Sequence, residues 1–169
     1  MKVAVAPLKK ERKDGQLTGL AGEFFVAAEL LKRGLQVALT LGNAKSVDLY
    51  ADNKVTKKTF HVQVKALSKP NEFPISHEKV EAECVYVFVV LNDPGTPTDF
   101  YIVPGRTLLD EPERFGRYFL NYKTFPSIHT RHLRDFKDNW SVFDGRQQKP
   151  MPETERGFAA PATDRAGYQ

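Results

Sequence analysis

Phe60-His61-Val62-Gln63-Val64-Lys65-Ala66 is the stretch on which the reading of this chain turns. Apolar and polar residues alternate along it, the pattern of a half-buried strand. Successive side chains on a strand point to opposite faces. Phe60, Val62 and Val64 therefore point one way, and His61, Gln63 and Lys65 the other. An amide oxygen and an ammonium group thus stand side by side on one outer face. A short upstream strand, Val47-Asp48-Leu49-Tyr50-Ala51, carries a carboxylate. Asp52-Asn53-Lys54 turns the chain, so the two strands are expected to pair as a hairpin that brings Asp48 near Gln63 and Lys65.

Before the hairpin, the sequence predicts a helix from about Thr18 to Arg33. Thr18 is its expected N-cap and Gly34 the residue just past its end. Leu20, Phe24, Ala27, Ala28 and Leu31 recur at helical spacing and are expected to form its buried stripe, with Glu23 on the edge. Gln36 to Leu41 reads as the first strand. Beyond the hairpin, Leu67–Pro74 reads as a loop, and Ser76 caps an expected helix running to about Cys84. Val85–Leu91 is apolar and β-branched throughout, as in a fully buried strand. Phe100–Val103 is another strand. Helical segments are expected over 106–122, interrupted at Pro112 and Gly116, and over 133–143. The order is helix, three strands, helix, two strands, helical end. That is an α/β arrangement with a mixed central sheet flanked by helices.

Composition narrows the class without naming an activity. The chain has 169 residues, 41% hydrophobic and 27% charged, as in ordinary globular domains. A net charge of +4 is compatible with a nucleic-acid partner. The one cysteine, Cys84, can form neither an intrachain disulfide nor a thiolate zinc site alone. A cytoplasmic setting is the expectation. The longest apolar run, Val85–Leu91, is too short for a membrane helix. The start of the chain does not read as a targeting segment. Lys2, Lys9, Lys10, Arg12 and Lys13 make residues 1–16 a basic arm. Residues 145–169 are rich in proline and glycine and read as a flexible tail. The domain proper is expected over 17–144.

Asp48, Gln63 and Lys65 are the residue types that metal-assisted phosphodiester hydrolysis requires. Mg²⁺ takes oxygen ligands, commonly one or two carboxylates with the substrate phosphate. Asp48 supplies a carboxylate, Gln63 a carbonyl oxygen, and Lys65 a cation for the attacking water or the developing charge. Glu23 can add a second carboxylate. Spacing alone leaves a plainer reading open, a solvated strand face with Lys65 and Asp48 in a surface ion pair.

At these residues the chain resembles the PD-(D/E)xK nuclease superfamily, the restriction-endonuclease-like fold. The segments that carry the resemblance are Gly22-Glu23, Ala27-Ala28-Glu29-Leu30-Leu31, Val47-Asp48-Leu49 and Val62-Gln63-Val64-Lys65. They look like those of Mrr-type restriction enzymes and archaeal Holliday-junction resolvases. Phe100-Tyr101-Ile102-Val103-Pro104 and Lys137-Asp138-Asn139-Trp140 extend the likeness, which covers about residues 17–143. It implies an α-β-β-β-α-β core and a Mg²⁺-dependent DNA endonuclease, with Mn²⁺ able to substitute. Asp48, Gln63 and Glu23 would hold the metal, and Lys65 would assist the nucleophile. Duplex or branched DNA is the implied substrate and a homodimer the implied assembly. Lys54, Lys57 and Lys58 at the hairpin turn, His61 on the outer face, and Ser68 and Lys69 beyond Lys65 are the candidate phosphate contacts. Gln63 stands where the family pattern has Asp or Glu, which removes one negative charge. A module of this fold that binds nucleic acid or a protein partner without cutting is the alternative.

Overall fold

The computed structural model describes residues 15–40, 47–120 and 125–145. The expected tail from residue 146, and the arm up to residue 14, lie outside them. Gly15 and Gln16, expected in the arm, open helix α1, Gly15–Lys32. Thr18 is therefore inside the first turn and is not the N-cap. The helix ends as expected. Gly34, at φ +82°, donates to Leu31 O at 2.9 Å, and Leu35 N donates to Leu30 O at 3.2 Å. This pair of bonds satisfies carbonyls that a helix end leaves without partners.

The strands β1 (Gln36–Leu39), β2 (Leu49–Asn53), β3 (Lys58–Leu67), β5 (Cys84–Val90) and β6 (Asp99–Pro104) form one sheet in the order β1-β2-β3-β5-β6. β1, β2 and β3 form an antiparallel meander, β5 runs parallel to β3, and β6 is antiparallel to β5. The mixed sheet is thus as expected. Its alternation sorts the core into two layers. Phe60, Val62, Val64, Val85, Val87 and Val89 face α1, together with Trp140 and Phe143. Tyr86, Phe88, Val90, Tyr101 and Val103 face the opposite, outer side.

The helix lies on the sheet by a different stripe from the expected one. Gly22, Val26, Ala27 and Leu30 are buried, and of the predicted set only Ala27 is among them. Leu17, Phe24 and Leu31 are 65%, 54% and 55% exposed. The cause is Gly22. A Cβ built there would stand 2.5 Å from the Cβ of Ala66, so the helix axis approaches β3 closely only because that residue has no side chain.

A second correction concerns the connection from β3 to β5. Parallel neighbours need a crossover, most often a helix. The helix expected over 76–84 is absent. A single 3-10 turn, His77–Lys79, stands in its place, Ser76 makes no side-chain capping bond, and Val80 is already extended. The expected 67–74 loop contains β4, Glu72–Pro74, which pairs antiparallel with β7, Ser127–His129. This small second sheet covers the outer face through Phe73 and Ile128, both fully buried. The rest of the cover comes from α2 (Gly105–Asp110), α3 (Arg117–Leu120) and two 3-10 turns, Pro112–Phe115 and Thr130–Phe136. The final helix expected over 133–143 is likewise two 3-10 turns, broken at Asp138, whose φ is +52°. Among the described residues, no helix is long and apolar enough to cross a membrane.

Candidate active site

Asp48 sits one residue before β2 begins, and its backbone is held from both sides. Its N–H donates to Val62 O, and its carbonyl accepts from Thr40 N, both at 2.9 Å. The Thr40 hydroxyl adds bonds to the carbonyls of Val47 and Asp48, at 2.5 and 3.0 Å. β3 continues past the point where β2 starts, so Val64 presents its N–H toward β2 with no strand residue to receive it. The Asp48 carboxylate receives it instead, at 2.6 Å from Oδ2. Buried backbone donors require such partners, and here the partner is a charge-assisted one. The carboxylate is thereby fixed at the backbone between Gln63 and Lys65, which share the outer face of β3. The three residues singled out on the hairpin are brought together.

Glu23 reaches the same place from α1. Burial raises the Glu23 carboxyl above its ordinary range, and the neighbouring Asp48 charge raises it further. Asp48 is raised as well, chiefly by burial, against the opposing pull of the Val64 N–H and the Lys65 ammonium. No ion pair joins Asp48 and Lys65 among the described residues, so the surface-pair reading of Lys65 falls away. The site offers two half-buried carboxylates, one amide oxygen and one ammonium group. Among the described residues no three His, Cys, Asp or Glu side chains are placed to share an ion. All the oxygen donors are hard, and the two carboxylates disfavour each other's ionisation. That donor set suits a hard divalent cation, which would relieve both raised pKa values.

This electrostatic tension has a measurable consequence. A carboxyl whose pKa is raised on folding holds its proton more tightly in the native state than in the unfolded one. Stability is therefore lost as pH rises through that window, and at neutral pH the whole cost is present. Asp48→Asn keeps an oxygen for the Val64 N–H and removes the charge. In EDTA at neutral pH it is expected to raise the melting temperature by about 2 °C or more. Excess Mg²⁺ is expected to raise the wild-type midpoint and leave the variant's in place. Scanning calorimetry with and without EDTA checks both.

The structure separates the other candidates from this site. Lys54, Lys57 and Lys58 lie at the far end of β3. Lys58 is seven residues from Lys65, about 23 Å along the strand, so the hairpin turn is not beside the carboxylates. Lys58 stacks its ammonium 4.9 Å from the Phe60 ring. His61 shares the outer face but packs edge-on against Tyr50, ring centres 5.2 Å apart. It borders a cavity of about 480 Å³ with Lys58 and Glu83, toward that same far end. Lys69 is held in an exposed ion pair with Asp93 at 2.9 Å. Ser68 is half-buried, just past the end of β3.

With this geometry in hand, one solved structure is informative. A bacterial homing endonuclease, I-Ssp6803I, superposes with a TM-score of 0.51 and 17% identity, over 78% of this chain and 92% of that one. The two chains share a fold. At that identity the likeness speaks for the fold alone. No family model matches the chain. No curated protein matches it in sequence.

A second cavity, about 360 Å³, opens beside Gln63 and Lys65 and is walled by Ile75, Lys79, Phe125 and Pro126. Sequence reading missed these wall residues. Lys79 ends the 3-10 turn, and Ile75, Phe125 and Pro126 flank the short strands β4 and β7, segments with too few residues for a periodic signal.

Proposed function

We propose that this protein is a divalent-metal-dependent DNA endonuclease of the PD-(D/E)xK type. The observation that carries the reading is the Asp48 carboxylate bonded at the Val64 N–H, between Gln63 and Lys65, with the Glu23 carboxylate electrostatically coupled to it. The shared fold with a homing endonuclease is consistent with it. Asp48, Glu23 and the Gln63 carbonyl would hold Mg²⁺, with Mn²⁺ as a substitute. When bound, the ion lowers the pKa of a coordinated water and offsets phosphate charge.

The chain's own residues do the rest. Asp48 must be ionised, and its Oδ2 bond to Val64 fixes which way its other oxygen points. Lys65, flanking the same backbone position, orients the attacking water or balances charge on the phosphate as it becomes five-coordinate. Gln63 orients without adding charge. Because both carboxylates are raised in the absence of metal, protons compete with the ion, and at limiting Mg²⁺ the acid limb of activity is expected above the usual carboxylate range. Cutting both strands of a duplex needs two such sites, so for that substrate the reading carries a homodimer with it.

Incubating the purified protein with plasmid and with branched DNA in Mg²⁺ or Mn²⁺, against an EDTA control, tests the reading. Cleavage that persists in EDTA would sink it. Gln63→Glu restores the charge that the family pattern has. It is expected to lower the Mg²⁺ concentration at half-maximal cleavage, read by titrating the ion. The missing charge at Gln63 also favours a second reading, a nucleic-acid-binding module with no cutting. DNA binding at low salt by a wild type inert in both metals, and cleavage gained in Gln63→Glu, would select that second reading.

A further inference from the structure

The cavity beside Gln63 and Lys65 has a composition unlike the rest of the site. One wall is apolar, made by Ile75, Phe125 and Pro126, and Lys79 stands at its side. Phe125 is 58% exposed, and among the described residues it makes no ring contact with another aromatic side chain. An exposed ring of that size is unfavourable in water unless something covers it. The backbone beside it is tied down. The Pro126 carbonyl accepts from Ile75 N at 3.1 Å, which ties the residues before β7 to the end of β4. Lys79 is exposed and makes no ion pair among the described residues.

A flat apolar surface with a free ammonium beside it matches one nucleotide. The base stacks on the ring, and the adjoining phosphate meets the cation. The volume, about 360 Å³, lies at the small end of ligand pockets. A base can lie on the ring only if its own face is not already covered by its neighbours in a duplex stack. Enzymes that need one base in such a pocket take it unpaired, or extrude it from the duplex. Gln63 and Lys65 line the same cavity, so the phosphate next to the stacked base lies at the candidate catalytic face.

We propose that Phe125 and Lys79 form a nucleotide subsite that stacks one unpaired base beside the phosphate to be cut, so that DNA with an unpaired nucleotide is the preferred substrate class. This rests on the nuclease reading and adds to it the form of the DNA. Lys79 supplies affinity without regard to pairing, and Phe125 supplies the discrimination.

Fluorescence anisotropy in EDTA at low salt tests this with one labelled DNA sequence in three forms: fully paired, paired with one unpaired nucleotide, and single-stranded. Wild type is expected to bind the two forms with unpaired bases about 10-fold more tightly than the paired duplex. Phe125→Ala should abolish that preference and leave duplex binding unchanged, and Phe125→Trp should keep it. Lys79→Ala should weaken all three forms alike. 2-Aminopurine at the unpaired position should be quenched by wild type and by Phe125→Trp, but not by Phe125→Ala. A preference that survives Phe125→Ala, or a wild type that binds all three forms equally, overturns the subsite. If such a wild type still cuts DNA in Mg²⁺, the nuclease reading stands without it. A wild type that neither binds DNA at low salt nor cuts it in Mg²⁺ overturns both.

Discussion

Lys65→Ala is expected to lower the rate of DNA cleavage at saturating Mg²⁺ by at least about 10²-fold, the usual effect of removing one group that stabilises developing charge. Lys65 is half-buried on the outer face of β3 and has no ion-pair partner among the described residues, so its charge is not committed to the fold. The variant should therefore still fold, with its melting midpoint at neutral pH slightly lowered because the Asp48 carboxylate loses a favourable neighbour. Its lost charge also removes a pull that lowers the Asp48 pKa. At limiting Mg²⁺, where protons compete with the ion for Asp48, the acid limb of any residual activity should accordingly move to higher pH. Asp48→Ala should match or exceed the loss in rate, and it also leaves the Val64 N–H without its acceptor. Cleavage kinetics on a labelled oligonucleotide, across a pH series, read both effects. Activity in both variants within a few-fold of wild type would rule out this face of β3 as the catalytic one.

The largest effect on stability is expected far from that face, at Gly105. This residue opens α2 directly after β6 and is buried. A Cβ there would stand 2.1 Å from the Glu81 carbonyl oxygen and 2.8 Å from that of Cys84. Both obstacles are backbone, and the Cys84 carbonyl belongs to β5, an interior strand of the sheet. Neither can swing aside as a side-chain end would. Gly105→Ala must push α2 away from the sheet, and Leu108 on that helix is fully buried. Overpacking of this kind costs about 3 kcal/mol or more when the neighbours are rigid. Urea denaturation should show the midpoint falling sharply with the slope little changed. A loss under about 1 kcal/mol would mean that α2 is free to shift.

The sheet and the candidate site were legible in the sequence for one physical reason. β3 has one face in the core and one outside, so its alternation is written into the residues. The turn expected at Asp52-Asn53-Lys54 falls at residues 54–57, since Asp52 and Asn53 still pair in β2, but the hairpin forms as expected and with it the approach of Asp48 to Val64. Features set by tertiary packing were not legible. The buried stripe of α1 is not the one its large apolar residues suggest, because the contact with Ala66 needs a glycine. β4 and β7 have three residues each, too few to show alternation, and they stabilise each other only across a long stretch of chain. The distance of Lys54, Lys57 and Lys58 from the carboxylates follows from the ten-residue length of β3, whose turn lies far from its Lys65 end. Phe125 gave no signal, since nothing local distinguishes an exposed phenylalanine from a packed one.

The small β4–β7 sheet also imposes an order on how the molecule is made. The Ser127 hydroxyl meets the Glu72 carboxylate across 55 positions of sequence. Everything that packs on the α1 side, apart from the Trp140 turn, is free of the ribosome once residue 104 has emerged from it, but Phe73, Tyr86 and Phe88 still lack their cover then. At about 5–20 residues per second, these rings wait one to several seconds for Ile128 and Leu133 to be synthesised. During that interval the nascent chain carries a half-finished sheet with one greasy side open to its surroundings, and the candidate catalytic pocket does not yet have its outer wall.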